Sequence, residues 1–161
     1  MMVEGKLIVR MWEERDSEWL KGAIKGFLQE GMMKGGDLVD SEKNVECYLR
    51  LGLAGAGRKD PCLVGILNDV IVGFVFWIGI PNAQLDTRWK TIQALGSYTL
   101  PEFRGKGIAD RLRRLARSLA KIQGYERIFG PVLAENKKGI EVFEKEYDAK
   151  ICVYNFEQFI K

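Results

Sequence analysis

Between a strand-like run ending at Pro101 and a long basic helix lie Arg104, Gly105, Lys106, Gly107, Ile108 and Ala109. Glycines at 105 and 107 let the backbone approach an anion closely. The first free N–H groups of the following helix would point at that anion with the positive end of the helix dipole behind them. Arg104 and Lys106 add positive charge on mobile side chains at the same spot. Phosphate binding is the chemistry this pattern suits. A Walker A loop needs Ser or Thr after Gly-Lys, whereas Lys106 is followed by Gly107. A dinucleotide fingerprint needs a third glycine after Gly55 and Gly57, but Asp60 holds that place and the segment follows helix rather than strand. The hexapeptide alone fits an ordinary glycine-rich strand-to-helix turn as well as a phosphate loop, so its neighbours decide.

The chain of 161 residues has no histidine. Triads built on imidazole, HExxH metal sites and mixed cysteine–histidine zinc sites are thereby excluded, and three cysteines cannot complete a four-cysteine site. No metal centre is expected. Acyl transfer from a thioester to an amine needs no imidazole, because the thioester is already activated and the main work is positioning and oxyanion stabilisation. Cys47, Cys62 and Cys152 are odd in number and set among apolar residues, which predicts buried free thiols. The length suits a single domain over residues 1–161, and 47% hydrophobic residues suffice for its core. No apolar run approaches the roughly 20 residues of a membrane span, and the first residues lack the cationic-then-apolar order of a signal peptide. A soluble cytoplasmic protein is expected, and a homodimer is compatible with it.

Several elements must position the glycine loop. Lys6 to Trp12 alternates as a first strand, and Asp16 can cap a helix with Leu20, Ile24, Phe27 and Leu28 on one face, broken at Gly31 to Gly36. Asp40 or Ser41 can cap a second helix with Val45, Tyr48, Leu49 and Leu53 inward, ending in the Gly55 to Gly57 turn. Cys62 to Leu67 and Val70 to Ile80, joined at Asn68-Asp69, read as a tight hairpin whose second strand is covered on both faces. Thr91 to Leu100 is a fourth strand. A third helix runs from about Gly105 to Ile122 with Ile108, Leu112, Leu115, Leu119 and Ile122 as its inward stripe. A fifth strand over Arg127 to Ala134, a helix from Asn136 to about Glu146 with Ile140 and Phe143 inward, and a last strand over Lys150 to Ile160 complete the order β-α-α-β-β-β-α-β-α-β. This is an α/β chain with a mixed, mostly antiparallel sheet and helices on both faces.

RGKGIA fits the Arg/Gln-x-x-Gly-x-Gly/Ala signature, and with this element order the chain resembles the GNAT superfamily of N-acetyltransferases over essentially its whole length. Pro131 suits the resemblance, since in that family the fourth and fifth strands splay apart and a proline there costs no ladder bond. Asn136, seven residues before Phe143, resembles the family's Asn-x-x-Ala-x-x-Phe-Tyr pattern, with Gly139 and Val142 in the alanine and phenylalanine places. The resemblance implies acetyl-coenzyme A as cofactor and a V-shaped cleft for its pantetheine arm. The backbone from Arg104 through Gly105, Lys106, Gly107 and Ile108 to Ala109 would cradle the pyrophosphate, and Thr99 and Leu100 would pair with pantetheine. A backbone amide of the fourth strand would hold the developing oxyanion. Asn136 would contact the cofactor, although a plain helix N-cap explains it equally well.

Two departures concern catalysis. Phe143 stands where many family members place the tyrosine that protonates the leaving thiolate; Tyr147, one turn on, and Tyr98 on the fourth strand are the candidate acids in its stead, with a core tyrosine the simpler reading of each. The fourth strand has no carboxylate to serve as base. Glu30, Asp37 and Asp86 could reach the cleft, but solvated surface is the default for all three, as for Glu102. The acceptor would be a small-molecule or peptide amine, bound between the first two helices and the Pro81 to Lys90 loop, with Trp12, Trp77 and Trp89 as apolar lining. Residues 101 to 123 carry seven Lys/Arg and two Asp/Glu, a local +5 against +3 overall, so the rest of the chain is 3 − 5 = −2. Arg113, Arg117 and Lys121 read as the outer, solvated face of an amphipathic helix, and with no aromatic among them the pattern weighs against nucleic acid. Two alternatives remain: a catalytically weak acyl-CoA-binding domain with a sensing or partner-binding role, and an RNA-directed protein using the basic helix.

Overall fold

The computed structural model describes residues 5–32, 42–79, 90–130, 132 and 137–147. Its contacts group into two compact units, Met1–Pro131 and Val132–Lys161. In the first unit, β1 (Ile8–Met11), β2 (Cys62–Leu67), β3 (Val70–Gly79), β4 (Thr91–Thr99) and β5 (Arg127–Phe129) form one sheet in sequential order. All neighbours are antiparallel except β4 and β5, which run parallel. Helices α1 (Ser17–Phe27) and α2 (Glu42–Gly57) follow β1, and α3 (Ile108–Ile122) follows β4. The second unit contributes α4 (Lys137–Tyr147); the expected last strand lies outside the described residues.

The hairpin is built at Asn68-Asp69 as its letters require. Both residues take positive φ, 50° and 62°, a conformation Asn and Asp tolerate and one that matches the twist of the flanking strands. From Val72 to Trp77, β3 is buried on both faces. One face carries Val64, Phe74 and Phe76 against α1 and α2, whose Leu20, Ile24, Phe27, Val45 and Leu49 are all buried, as is Leu28 just after α1. The other face belongs to α3, where Leu112 packs over Gly65.

Several expectations are corrected. The inward stripe of α3 is Ile108, Leu112, Ala116 and Ala120; Leu115 and Ile122 are exposed. A helix lying close on a sheet prefers small side chains at the contact, so alanines displace the larger residues that the periodicity favoured. Trp12 and Trp77 are core residues, not site lining, and Trp12 Nε1 donates to Leu63 O at 3.0 Å. Cys47 is exposed, because it sits on the outer side of α2, whereas burial pushes the Cys62 thiol up to about 12. α2 continues through Gly55 to Gly57 rather than stopping before them, and α1 is followed by a π-helical turn at Leu28–Met32. Asp40, Ser41, Trp89, Pro131 and Cys152 lie outside the described residues.

Candidate functional site

β4 is the element around which the candidate site is organised. On one side it pairs with β3 from Gly73↔Thr99 to Gly79↔Ile92, and the register slips between Phe76↔Gly96 and Trp77↔Ala94, leaving Leu95 as the extra residue of a bulge. On the other side β5 pairs only with Thr91, Ile92 and Gln93. From Ala94 to Thr99 that edge has no partner strand among the described residues. Leu100 N donates to Val72 O at 2.9 Å, so the alternation of a ladder turns the backbone groups of Thr99 and Ser97 toward the open edge.

A short 3-10 turn, Pro101–Phe103, leads from β4 into the glycine loop. Gly105 and Gly107 have φ of 75° and 73°, and a Cβ added to either would meet nothing within 4 Å. The backbone therefore needs glycine for its left-handed conformation, while the space beside it is open. α3 starts at Ile108, later than the expected Gly105, because a left-handed residue cannot continue into an α-helix. Its first i→i−4 bond is Arg111 N to Gly107 O, 3.0 Å, which leaves the Ile108, Ala109 and Asp110 amides ahead of the helical ladder. This geometry fits a pyrophosphate. The acid in the first turn does not oppose it strongly, since Asp110 is paired with Arg114 at 2.9 Å.

The side chains expected to supply mobile charge are tied down. Arg104 Nε donates to Thr99 O at 3.0 Å, Nη2 binds Glu30 Oε2, and the guanidinium lies 5.4 Å from the Tyr98 ring centre. Lys106 Nζ donates to Glu102 O at 3.2 Å and sits over Phe103. The loop thus offers backbone N–H groups and a helix terminus rather than free cations. Arg113, expected on the outer face, is half-buried, with Nη1 3.4 Å from Ser97 Oγ on β4.

Residues 34–148 match the acetyltransferase (GNAT) family model. This chain belongs to the GNAT family. No curated protein sequence matches it. Among solved structures it is similar to an aminoglycoside N-acetyltransferase, AAC(6')-Iy, in complex with CoA, at 16% identity and a TM-score of 0.67 over 96% of this chain and 95% of that one. A ribosomal-protein-alanine N-acetyltransferase from Brucella melitensis biovar Abortus 2308 has 18% identity and a TM-score of 0.69, covering 96% and 100%. An aminoglycoside acetyltransferase from an uncultured soil metagenomic sample, in complex with sisomicin, has 16% identity and a TM-score of 0.64, covering 96% and 97%. These likenesses speak to the fold: a mixed sheet flanked by helices.

In this GNAT chain, Tyr98, Thr99, Leu100 and the Arg104 to Ala109 loop are brought together at the end of β4. Thr99 Oγ1 is buried without a hydrogen-bond partner among the described residues and lies over Gly73 on β3, away from the open edge. Tyr98 faces α1, with its hydroxyl against Gly26 and its ring 6.0 Å from Phe74. Burial raises its pKa, the Glu30 charge adds to this, and Arg104 opposes it. Phe143 and Ile140 are half-buried in α4, while Asn136, Asp37, Asp86 and the Tyr147 side chain lie outside the described residues. The Arg104–Glu30 pair escaped sequence reasoning, since 74 residues separate the partners and neither carries a local signal. The contact between Phe27 and Gly96 escaped it too, though a glycine inside a strand is a signal of close approach.

Proposed function

We propose that the chain is an acetyl-coenzyme A-dependent N-acyltransferase, one domain over residues 1–161, acting on a primary amine of a small molecule or peptide in the cytoplasm. The observation that carries this reading is the pair of left-handed glycines opening α3 beside a strand whose outer edge is unpartnered from Ala94 to Thr99 among the described residues. Family membership and the CoA named for AAC(6')-Iy support it. Acetyl-coenzyme A, when bound, supplies an activated acetyl group for direct attack by the amine.

In this reading the amides from Arg104 to Ala109 hold the pyrophosphate. The open-edge groups of Thr99 and Ser97, followed by Leu100, orient the pantetheine, and an amide near the Leu95 bulge stabilises the developing oxyanion. By resemblance Asn136 and Phe143 complete the cofactor site. Phe143 has no proton to give, so Tyr98 and Tyr147 stay the candidate acids and water is the competing donor. The second reading, an acyl-CoA-binding domain with little turnover, is favoured by one observation: Glu30, the carboxylate beside Tyr98, is paired with Arg104 rather than free to act as a base.

Calorimetric titration with coenzyme A tests the cofactor assignment. Gly107→Glu should weaken binding by at least about tenfold, because it forces a side chain into a left-handed position and sets a negative charge in the anion site. Gly124→Glu is the control: its φ of 78° and open surroundings impose the same strain and charge at the far end of α3. Equal affinity in wild type and Gly107→Glu would remove the assignment. Thiol release with panels of amines and peptides then separates the two readings.

A further inference from the structure

The aromatic wall on the α1 side of β4 bears on which acyl group the protein accepts. Phe27 is the last residue of α1 and is 8% exposed. Its ring stands end-on over Gly96: a Cβ there would run into Phe27 Cζ, with Cε2 2.9 Å and Cε1 3.1 Å away. The ring is braced by Phe74 at 5.9 Å and Tyr48 at 6.5 Å, both near edge-on, and Tyr98 packs against Phe74 beside it. Gly96 is the first β4 residue beyond the Leu95 bulge.

Position along the strand gives this contact its meaning. A pantetheine arm has roughly the reach of four extended residues, about 14 Å. Laid along the open edge from Leu100, below the glycine loop, that reach ends at Gly96 and the bulge. The thioester end of the arm would therefore arrive where the Phe27 ring occupies the room that a missing side chain leaves. Glycine at 96 opens a space, and the Phe27 ring fills it.

We propose that Phe27, seated on Gly96, is the residue that limits acyl-chain length and selects acetyl over longer acyl thioesters. The inference rests on the cofactor reading above. Removing the ring would leave a pocket lined by Phe74, Tyr48 and Tyr98, an apolar space suited to a chain of four to six carbons, at a cost in stability typical of an emptied aromatic site.

The test is binding, which needs no acceptor. Calorimetry on wild type, Phe27→Ala and Phe27→Leu would compare coenzyme A, acetyl-CoA and hexanoyl-CoA, with circular dichroism to verify folding. The affinity of hexanoyl-CoA relative to acetyl-CoA should rise by about tenfold or more in Phe27→Ala, a fraction of what burying four methylenes can supply, and by less in Phe27→Leu. Phe27→Leu keeps apolar contact with Phe74 while shortening the group over Gly96, so the proposal stays testable if the alanine variant does not fold. An unchanged ratio in a folded variant overturns the proposal while leaving the cofactor reading intact. Absence of coenzyme A binding in wild type overturns the cofactor reading, and this inference with it.

Discussion

Asp16 is nearly fully buried at the start of α1, and its two carboxylate oxygens each accept a hydrogen bond of 2.7 Å from the Arg10 guanidinium. Burial works against its charged form, but the Arg10 hydrogen bonds, the Glu13 N–H at 2.9 Å and the Arg10 charge outweigh it, and the pKa is lowered. A carboxylate depressed below its unfolded value of about 3.9 contributes stability that is present above that pH and is lost as pH falls through the folded pKa. Asp16→Asn should therefore cost about 2 kcal/mol in urea unfolding at pH 7, and wild type and variant should converge once the pH lies below the lowered pKa of folded Asp16. A gap that stays constant down to that pH would mean the carboxylate's charge is not what matters. The sequence located Asp16 at a helix start but as an ordinary cap, because the partner that takes its oxygens lies six residues earlier on a strand. Arg104 is a parallel case: its motif position was legible, its engagement with Glu30 and the Thr99 carbonyl was not.

At the scale of elements, what was legible is what repeats locally. The hairpin at Asn68-Asp69, the doubly covered β3 and the helix following the glycine loop are each dictated by neighbouring residues. The phase of α3 was not, because which face packs depends on how closely the helix approaches Gly65, a fact about a different strand. The staple between α2, β3 and the turn after α3 was equally invisible. Asp60, just beyond α2, is buried and accepts from Tyr125 Oη at 2.8 Å, Gly79 N at 3.1 Å and Arg58 Nη2 at 3.0 Å. Burial first, then the Asp60 hydrogen bond and charge, push the Tyr125 phenol up to about 12. A phenol raised above its unfolded value of about 10 contributes stability that is full below pH 10 and is lost as pH rises through 12. Tyr125→Phe should cost about 1–2 kcal/mol at pH 7, since Asp60 loses one of its donors. The difference from wild type should shrink above pH 10 in denaturant titrations, and one that grows there would contradict the assigned hydrogen bond.

Across the whole molecule, the +5 carried by residues 101 to 123 is the feature that invites a nucleic-acid reading, and the structure distributes that charge rather than concentrating it. Arg104 is paired with Glu30, Arg114 with Asp110, and Arg113 reaches β4; Arg111, Arg117 and Lys121 are the other exposed cations of α3. Three charges spread over about 15 Å of helix, without an aromatic platform, give a shallow electrostatic footprint. Arg117 and Lys121 lie about 15 and 21 Å along the axis from Gly107, beyond a Debye length of about 8 Å at physiological salt. Arg117→Glu with Lys121→Glu should therefore change coenzyme A affinity by no more than about twofold, a result calorimetry at 0.15 M salt can read directly. In parallel, fluorescence anisotropy with a labelled single-stranded RNA should give weak binding in wild type, falling by no more than about twentyfold between 50 and 200 mM salt, because only two or three phosphates can be neutralised at once. Tight RNA binding with a steep salt slope, abolished by the double substitution while coenzyme A affinity holds, would instead make the basic helix a functional surface separate from the glycine loop.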